Sequence, residues 1–296
     1  MSPPRPAPAF TGSTLDRAAL IRHDPGRVAA LVGAPGASVV AATADTVLLD
    51  TDAPTPRLLR APARGVVDPA EPILLGIEHG TPLFAADIEG TEPAPSSGRL
   101  ASLREAGALL SQSEGGLAAY LVALLNWHRS NRFCANCGTR TQVAEAGLSR
   151  HCGNCGRTHF PRTDPVVIMV VEHDGRLLLG RRAGWPAGRY SLLAGFVSPG
   201  ETPEEAVIRE VREESGIEAT APVYVTSQPW PFPSSLMLGF EARSPGGTPA
   251  VGDQELEDVG WFNEAEVRAA HPGAGLRLPP EVSIARVLID GWLARS

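Results

Sequence analysis

Hydrophobic positions follow three regimes along this chain. Over residues 1 to about 100 the apolar pieces are short (ASVVAA, TVLLD, PILLGIEH) and alternate with segments rich in Ala, Pro and Gly. Such runs, bounded by turn residues, predict short strands in a small α+β domain. Between 114 and 129 the period changes, and Leu117, Tyr120, Leu121, Leu124 and Leu125 line one side of a predicted helix. Beyond 163, VVIMVVEHDGRLLLGRR reads as a strand, an Asp-Gly hairpin and a second strand. RYSLLAGFVSPG adds a strand, and IEATAPVYVTSQPW and SLMLGFEAR add two more around the loop QPWPFPSS. WFNEAEVRAA and SIARVLIDGWLAR are amphipathic helices. Strands interspersed with helices predict an α/β sandwich on a mixed sheet. The expected domains are 1–113, with a disordered start, then 114–162, then 163–296.

Composition narrows the possibilities. All 26 basic residues are arginine, so no lysine is available as a Schiff base, general base or phosphate clamp. A net charge of −7 argues against gripping long nucleic acid through the overall field. No apolar run approaches the roughly 20 residues needed to span a bilayer. The start, MSPPRPAPAF, lacks an apolar signal core and reads as a frayed tail, so the expected location is cytoplasmic with no membrane partner. His23 and His79 stand alone and read as surface or satisfied structural residues.

The four cysteines, Cys134, Cys137, Cys152 and Cys155, form C-x2-C-x14-C-x2-C. Two CxxC turns joined by a hairpin can present four thiolates to one metal, and Gly138 and Gly156 follow the turns where the backbone is tightest. A disulfide pair or a redox CxxC would use the same residues. With every cysteine in this one spacing and no secretion signal, one structural zinc per chain is the expectation. Four ligands complete its shell, which leaves no open position for catalysis.

The segment 195–217, GFVSPGETPEEAVIREVREESGI, is dense in glutamate. Thr202 and Glu205 form a capping box, Pro203 takes the first helical position and Gly216 ends the helix. Glu210, Glu213 and Glu214 then share one sector beside the apolar flank of Val207, Ile208 and Val211. Glu204 and Glu205 instead suit the helix N-terminus, where negative charge favours the dipole. A solvated acidic face is the plain reading of such a helix, yet like charges at this spacing repel unless something neutralises them. Carboxylates so clustered are hard-oxygen ligands of the kind Mg²⁺ or Mn²⁺ prefers.

Gly195, Glu201, Arg209, Glu210, Val211, Glu213, Glu214, Gly216 and Ile217 spell G-x5-E-x7-R-E-V-x-E-E-x-G-I. This resembles the Nudix box at every defining position. The resemblance implies a Nudix-type α/β/α sandwich, preceded here by a zinc ribbon and a small α+β domain. It also implies hydrolysis of a nucleoside diphosphate linked to another moiety, with two or more Mg²⁺ or Mn²⁺ ions. A zinc ribbon before the box, and SQPWPFPSSLM after it, are similar to the NADH pyrophosphatase subfamily. That implies cleavage of NAD(H) at the pyrophosphate to NMN(H) and AMP, and some relatives also remove an NAD cap from RNA. The alternatives are a Nudix hydrolase of ADP-ribose or another dinucleotide, or a non-catalytic nucleotide sensor.

Carried over by position, the resemblance implies metal ligands at Glu210, Glu213, Glu214 and Glu255 and at the Ala194 carbonyl. Glu214, Glu213 and Glu210 are the catalytic candidates, with Glu214 or Glu213 orienting the water. Trp230 and Phe232, stiffened by Pro229, Pro231 and Pro233, offer a wall to a flat base, and Gln228, Ser234 and Ser235 offer polar groups. Phe196 and Phe160 are expected to stack on the substrate. Phe160 stands where the subfamily's HYPR motif has tyrosine, which retains stacking and removes a hydroxyl. Ala285 matches a substrate-contacting position. The resemblance further implies a homodimer in which the aromatic near 160 completes the partner's site.

Overall fold

A computed structural model describes residues 7–90, 98–252, 255–271 and 275–295. Two compact units make up the chain: residues 10–163 with 230–234, and residues 7–9, 164–229 and 235 onward. The zinc-binding segment and the helix before it thus group with the N-terminal strands. The expected disordered start lies outside the described residues up to position 6. The frayed reading fails at Pro8 and Phe10, which are buried.

Short strands form the N-terminal unit, as the interrupted apolar pattern predicts. They are β1 (Ser38–Ala42), β2 (Thr46–Asp50), β3 (Arg57–Leu58), β4 (Ala61–Pro62), β5 (Leu74–Glu78), β6 (Thr81–Asp87) and β7 (Arg99–Ser102). Helix α1 (Pro25–Val32) precedes them, and α2 (Leu103–Leu109) and α3 (Gln112–Ser130) follow. Leu117, Leu121, Leu124 and Leu125 of α3 are buried, and the helix packs on β1. A three-stranded sheet of β8 (Gln142–Ala144), β9 (Ser149–His151) and β10 (Thr158–His159) carries the cysteines. At its tip Glu145 and Ala146 hold positive φ, and a Cβ on Gly147 would meet Ile73 at 2.9 Å. Buried Arg22 donates to the Ala146 and Leu75 carbonyls, so the tip is locked into the same unit.

In the second unit the strands are β11 (Asp164–His173), β12 (Arg176–Arg182), β13 (Leu193–Phe196), β14 (Thr220–Trp230), β15 (Ser235–Arg243) and β16 (Leu256–Asn263). The helices are α4 (Pro203–Ser215), α5 (Glu264–Arg268) and α6 (Ile284–Leu293). The unbroken apolar run Val166–Val171 marks a strand buried on both faces. Val167, Met169 and Val171 pack with Ala206, Val207 and Val211 of α4 on one face. Ile168 and Val170 pack with Ile284, Leu288 and Trp292 of α6 on the other. This is the α/β/α sandwich on a mixed sheet, with β11 parallel to β15 and antiparallel to β12 and β13. Asp174 and Gly175 both take positive φ at the β11–β12 hairpin, as an Asp-Gly type I′ turn requires.

The two units share one connectivity. In the first, β7, β2, β1, β6 and β5 lie in that order, with β4 on β1 and β1 parallel to β6. In the second, β16, β12, β11, β15 and β14 lie in the same order, with β13 on β11 and β11 parallel to β15. Even the corner repeats: Ser191 bridges Gly180 of β12 before β13 reaches β11, as β3 pairs with β2 before β4 reaches β1. Between β13 and β14 stands α4; between β4 and β5, residues 63–73 form only turns. Among the described residues no helix is long and apolar enough to cross a membrane.

Candidate active site and zinc centre

Helix α4 starts where its sequence dictates. The Thr202 side chain accepts from the Glu205 amide while Glu205 accepts from the Thr202 amide, and Gly216 closes the helix at φ 67°. Burial of Val207 and Val211 fixes the roll of the helix, which buries Glu214 (2% exposed) and leaves Glu213 exposed. Glu210 lies against Gly195 of β13: a Cβ there would sit 1.9 Å from the Glu210 carboxyl carbon. The box glycine is therefore the floor on which this carboxylate rests. Ala194 is its neighbour on the same strand, opposite Ile168 of β11.

Arg209 ties the acidic groups together. It donates to Glu201 through Nε and Nη2 at 2.7 and 2.8 Å, and through Nη1 to Glu210 at 2.7 Å and Glu213 at 2.8 Å. Its Nη2 also donates to the Phe196 carbonyl at 2.9 Å, linking the helix to the end of β13. The Glu210 and Glu213 oxygens thus flank one nitrogen. Arg182 of β12 does the same on the other side, 3.0 Å from Glu255 and 4.0 Å from Glu214. Burial raises the Glu210 pKa, with Glu213 and Glu255 adding to the rise against the opposing pull of Arg209. The Arg209 hydrogen bonds lower that of Glu201. Four carboxylates, two of them bridged by each arginine, fit a hard divalent cation by donor type and by their need for positive charge.

In the N-terminal unit the four cysteine sulfurs lie within 4.8 Å of one another. Cys134 Sγ is 3.6 Å from Cys155 Sγ and Cys137 Sγ is 3.5 Å from Cys152 Sγ. Zinc–sulfur bonds of about 2.3 Å in a tetrahedron place sulfurs about 3.8 Å apart, so the set fits zinc and forms no disulfide. Both knuckles are built alike. Gly138 and Gly156 each take φ 72°, and their amides donate to the Cys134 and Cys152 carbonyls at 2.9 Å. Hydrogen bonds from Thr139 and Asn154 lower the Cys137 pKa, favouring the thiolate. His159 Nε2 lies 3.3 Å from Cys134 Sγ, which ties β10 to the metal shell.

The expected substrate residues divide. Phe160 and Phe196 are 63% and 60% exposed, each open to stacking. Trp230 and Phe232 pack at 4.9 Å, Phe10 lies 6.1 and 6.4 Å from them, and the Arg104 guanidinium stands 4.1 Å over Phe232. The two rings are half-buried, Pro231 is buried, Pro233 is exposed, and Pro229, Ser234 and Ser235 are intermediate. Gln228 corrects the sequence reading. Its side chain is fully buried: Nε2 donates to the Ala9 and Val282 carbonyls and Oε1 accepts from the Ile284 amide, leaving no polar group for a ribose or phosphate. Ala285 sits in the first turn of α6 with its methyl group in the core. Sequence reasoning missed Arg182 and His159. Arg182 could have been found from register, since it pairs with Leu256, the neighbour of Glu255.

Three families match in tandem. The NADH pyrophosphatase-like rudimentary NUDIX domain covers residues 36–127, the NADH pyrophosphatase zinc ribbon domain 129–160 and the NUDIX domain 161–279. The chain is 38% identical over 306 residues to a protein of Mycobacterium bovis named NAD-capped RNA hydrolase NudC, covering 98% of this chain and 96% of that one. A Mycobacterium tuberculosis protein of the same name matches at the same identity and coverage. One from Chromobacterium violaceum is 42% identical over 215 residues, 73% of this chain and 78% of its own length.

Proposed function

This chain belongs to the NADH pyrophosphatase branch of the Nudix hydrolases, and from that premise we propose how its residues divide the work. The protein is a metal-dependent hydrolase of the NAD(H) pyrophosphate, yielding NMN(H) and AMP, and by the same cleavage it removes the NAD cap from RNA, releasing NMN and leaving a 5′-monophosphate on the RNA. The observation that carries the site assignment is the convergence of Glu210, Glu213, Glu214 and Glu255 on Arg209 and Arg182, with Glu210 seated on Gly195.

Glu210, Glu213, Glu214 and Glu255, with the Ala194 carbonyl, would hold the catalytic ions. Bound Mg²⁺ or Mn²⁺ supplies charge neutralisation of the pyrophosphate and a more acidic attacking water. Glu214 or Glu213 accepts the proton of that water as its oxygen bonds to one phosphorus. The P–O bond to the bridging oxygen breaks, and the leaving phosphate carries the bond's electron pair away. Were Glu210 and Glu213 to hold the ions, Arg209 would keep its hydrogen bonds to Glu201 and the Phe196 carbonyl, which join α4 to the end of β13. Phe196 and Phe160 offer their exposed faces to the substrate's flat rings. The working form is a homodimer in which Phe160 completes the partner subunit's site, a reading that rests on family resemblance. Sedimentation at twice the 31.1 kDa chain mass supports it, and a monomer with full activity overturns it.

Mass spectrometry after incubation with NADH, Mn²⁺ and ¹⁸O-water tests the reaction. NMNH and AMP, one of them labelled, are expected, with turnover lost in Glu214→Gln. Intact NADH with turnover of ADP-ribose instead would reassign the substrate and keep the chemistry. No turnover of either would point to a nucleotide sensor.

A further inference from the structure

The zinc-bearing segment is basic within an acidic chain. Residues 129–162 hold six arginines (129, 132, 140, 150, 157 and 162) against one acidic residue, Glu145, and stay positive even with the net −2 of zinc on four thiolates, while the whole chain carries −7. Arg129 is bound to Asp87 and Arg150 is buried, but Arg132, Arg140, Arg157 and Arg162 are exposed. Local charge of this sign is what a polyanion recognises, whatever the field of the whole molecule.

Strand register shows how the surface is laid out. Gln142 of β8 opposes His151 of β9, which opposes Thr158 of β10, and Phe133 opposes Arg140 across the first knuckle. Directly paired residues share a face, and so do residues two apart on one strand. Arg140 lies two residues before Gln142 and Phe160 two residues after Thr158, just beyond the ends of β8 and β10. All six are exposed, whereas the alternating positions Thr141 and Arg150 are buried. The face is open at this end of the sheet, whereas toward the tip Ser149 is buried.

The open face carries Phe133 and Phe160, 62% and 63% exposed, at opposite corners. Strand spacing and rise put them roughly 20 Å apart. Between them stand a guanidinium, an amide, an imidazole and a hydroxyl. Aromatic rings interspersed with cations on an open sheet suit unpaired bases, which stack on rings without sequence preference while arginine neutralises the phosphates. An acidic peptide would satisfy the arginines and leave the two rings unused; an RNA duplex hides its base faces.

We propose that this face of the zinc module binds the single-stranded RNA body attached to an NAD cap. The proposal rests on the reading that capped RNA is a substrate. Phe160, offered to the substrate's rings, is one corner of the face, so the path for the RNA starts just past the end of β10, at the ring contacting the cap.

The test uses zinc-loaded, full-length protein with Phe133→Ala/Arg140→Ala and, separately, Arg140→Glu. Both positions are exposed, and zinc content checks each fold. Fluorescence anisotropy with an uncapped single-stranded RNA of about 12 nucleotides should show at least about a tenfold loss of affinity in the double variant. The salt slope should fall by about 0.7 for the one arginine removed. Then kcat/KM on NAD-capped RNA should fall by a similar factor, with kcat/KM on free NADH unchanged. Variants that bind and decap RNA like the wild type would overturn the proposal, as would a blunt duplex bound as tightly as the single strand. A wild type that cleaves NADH but not capped RNA would instead sink the underlying reading.

Discussion

Replacing Gly195 with alanine adds one methyl group where the Glu210 carboxylate now rests. The new Cβ would lie 1.9 Å from the carboxyl carbon and 2.1 Å from both oxygens, where ordinary contact is 3.4–4 Å. The carboxylate must therefore retreat by about 1.5 Å or more. The obstructing atoms are the end of a flexible side chain and not backbone, so the fold can absorb the change. Overpacking in a core costs about 1–3 kcal/mol, and here the lower end is expected. Function has no such slack, because a misplacement of about 1 Å can cost about 100-fold in rate. Gly195→Ala should therefore lower kcat on NADH about 100-fold at fixed Mn²⁺ and weaken Mn²⁺ binding measured by titration calorimetry. Its melting temperature should stay within about 4 °C of wild type. Wild-type kcat and metal affinity would refute the claim that the Gly195 backbone seats a metal ligand. Loss of both activity and cooperative melting would show that the glycine serves the fold and not the site.

Two further outcomes follow from the N-terminal unit. Stripping zinc with a chelator should lower its melting temperature and restore it on readdition, with one zinc per chain by elemental analysis; an unchanged melting curve would contradict the four-thiolate staple. His128 is buried, its Nδ1 accepting from Arg150 and its Nε2 donating to the Gly147 carbonyl, each at 2.9 Å. Burial, with Arg150 adding to it, pushes its pKa down to about 4. The unfolded chain takes up the proton near pH 6.5 and the folded chain only near pH 4, so stability is full above pH 6.5 and drains away as pH falls through that window. The loss approaches about 3 kcal/mol, measurable as a falling urea midpoint that His128→Gln should flatten.

Parts of this molecule that depend on neighbours in sequence were legible there. The capping box, the Asp-Gly hairpin and the cysteine knuckles are all set by local geometry, and each forms as expected. What failed depended on long-range burial. Gln228 looked like a polar recognition group, but its partners at 9, 282 and 284 are invisible in the pattern around 228. Phe10 reads as tail until Trp230 and Phe232 are placed beside it. The repeated connectivity was hidden for another reason. Its strands β3 and β4 are two residues long, and the turns at 63–73 leave no periodic signal to align with α4.

That repetition bears on how such a protein can change over time. The same order of strands, the same parallel pair and the same bent corner occur twice, and only one copy inserts the 13-residue α4. The N-terminal copy closes its core with Val28 and Val32 of α1 and no acidic helix, so the strand arrangement does not by itself require the chemistry. A lineage can silence one copy by losing a single insertion while the copy persists as structural support. Ancestry is then written in the strands, and activity must be sought where the two copies differ, first of all in the segment that only one of them retains.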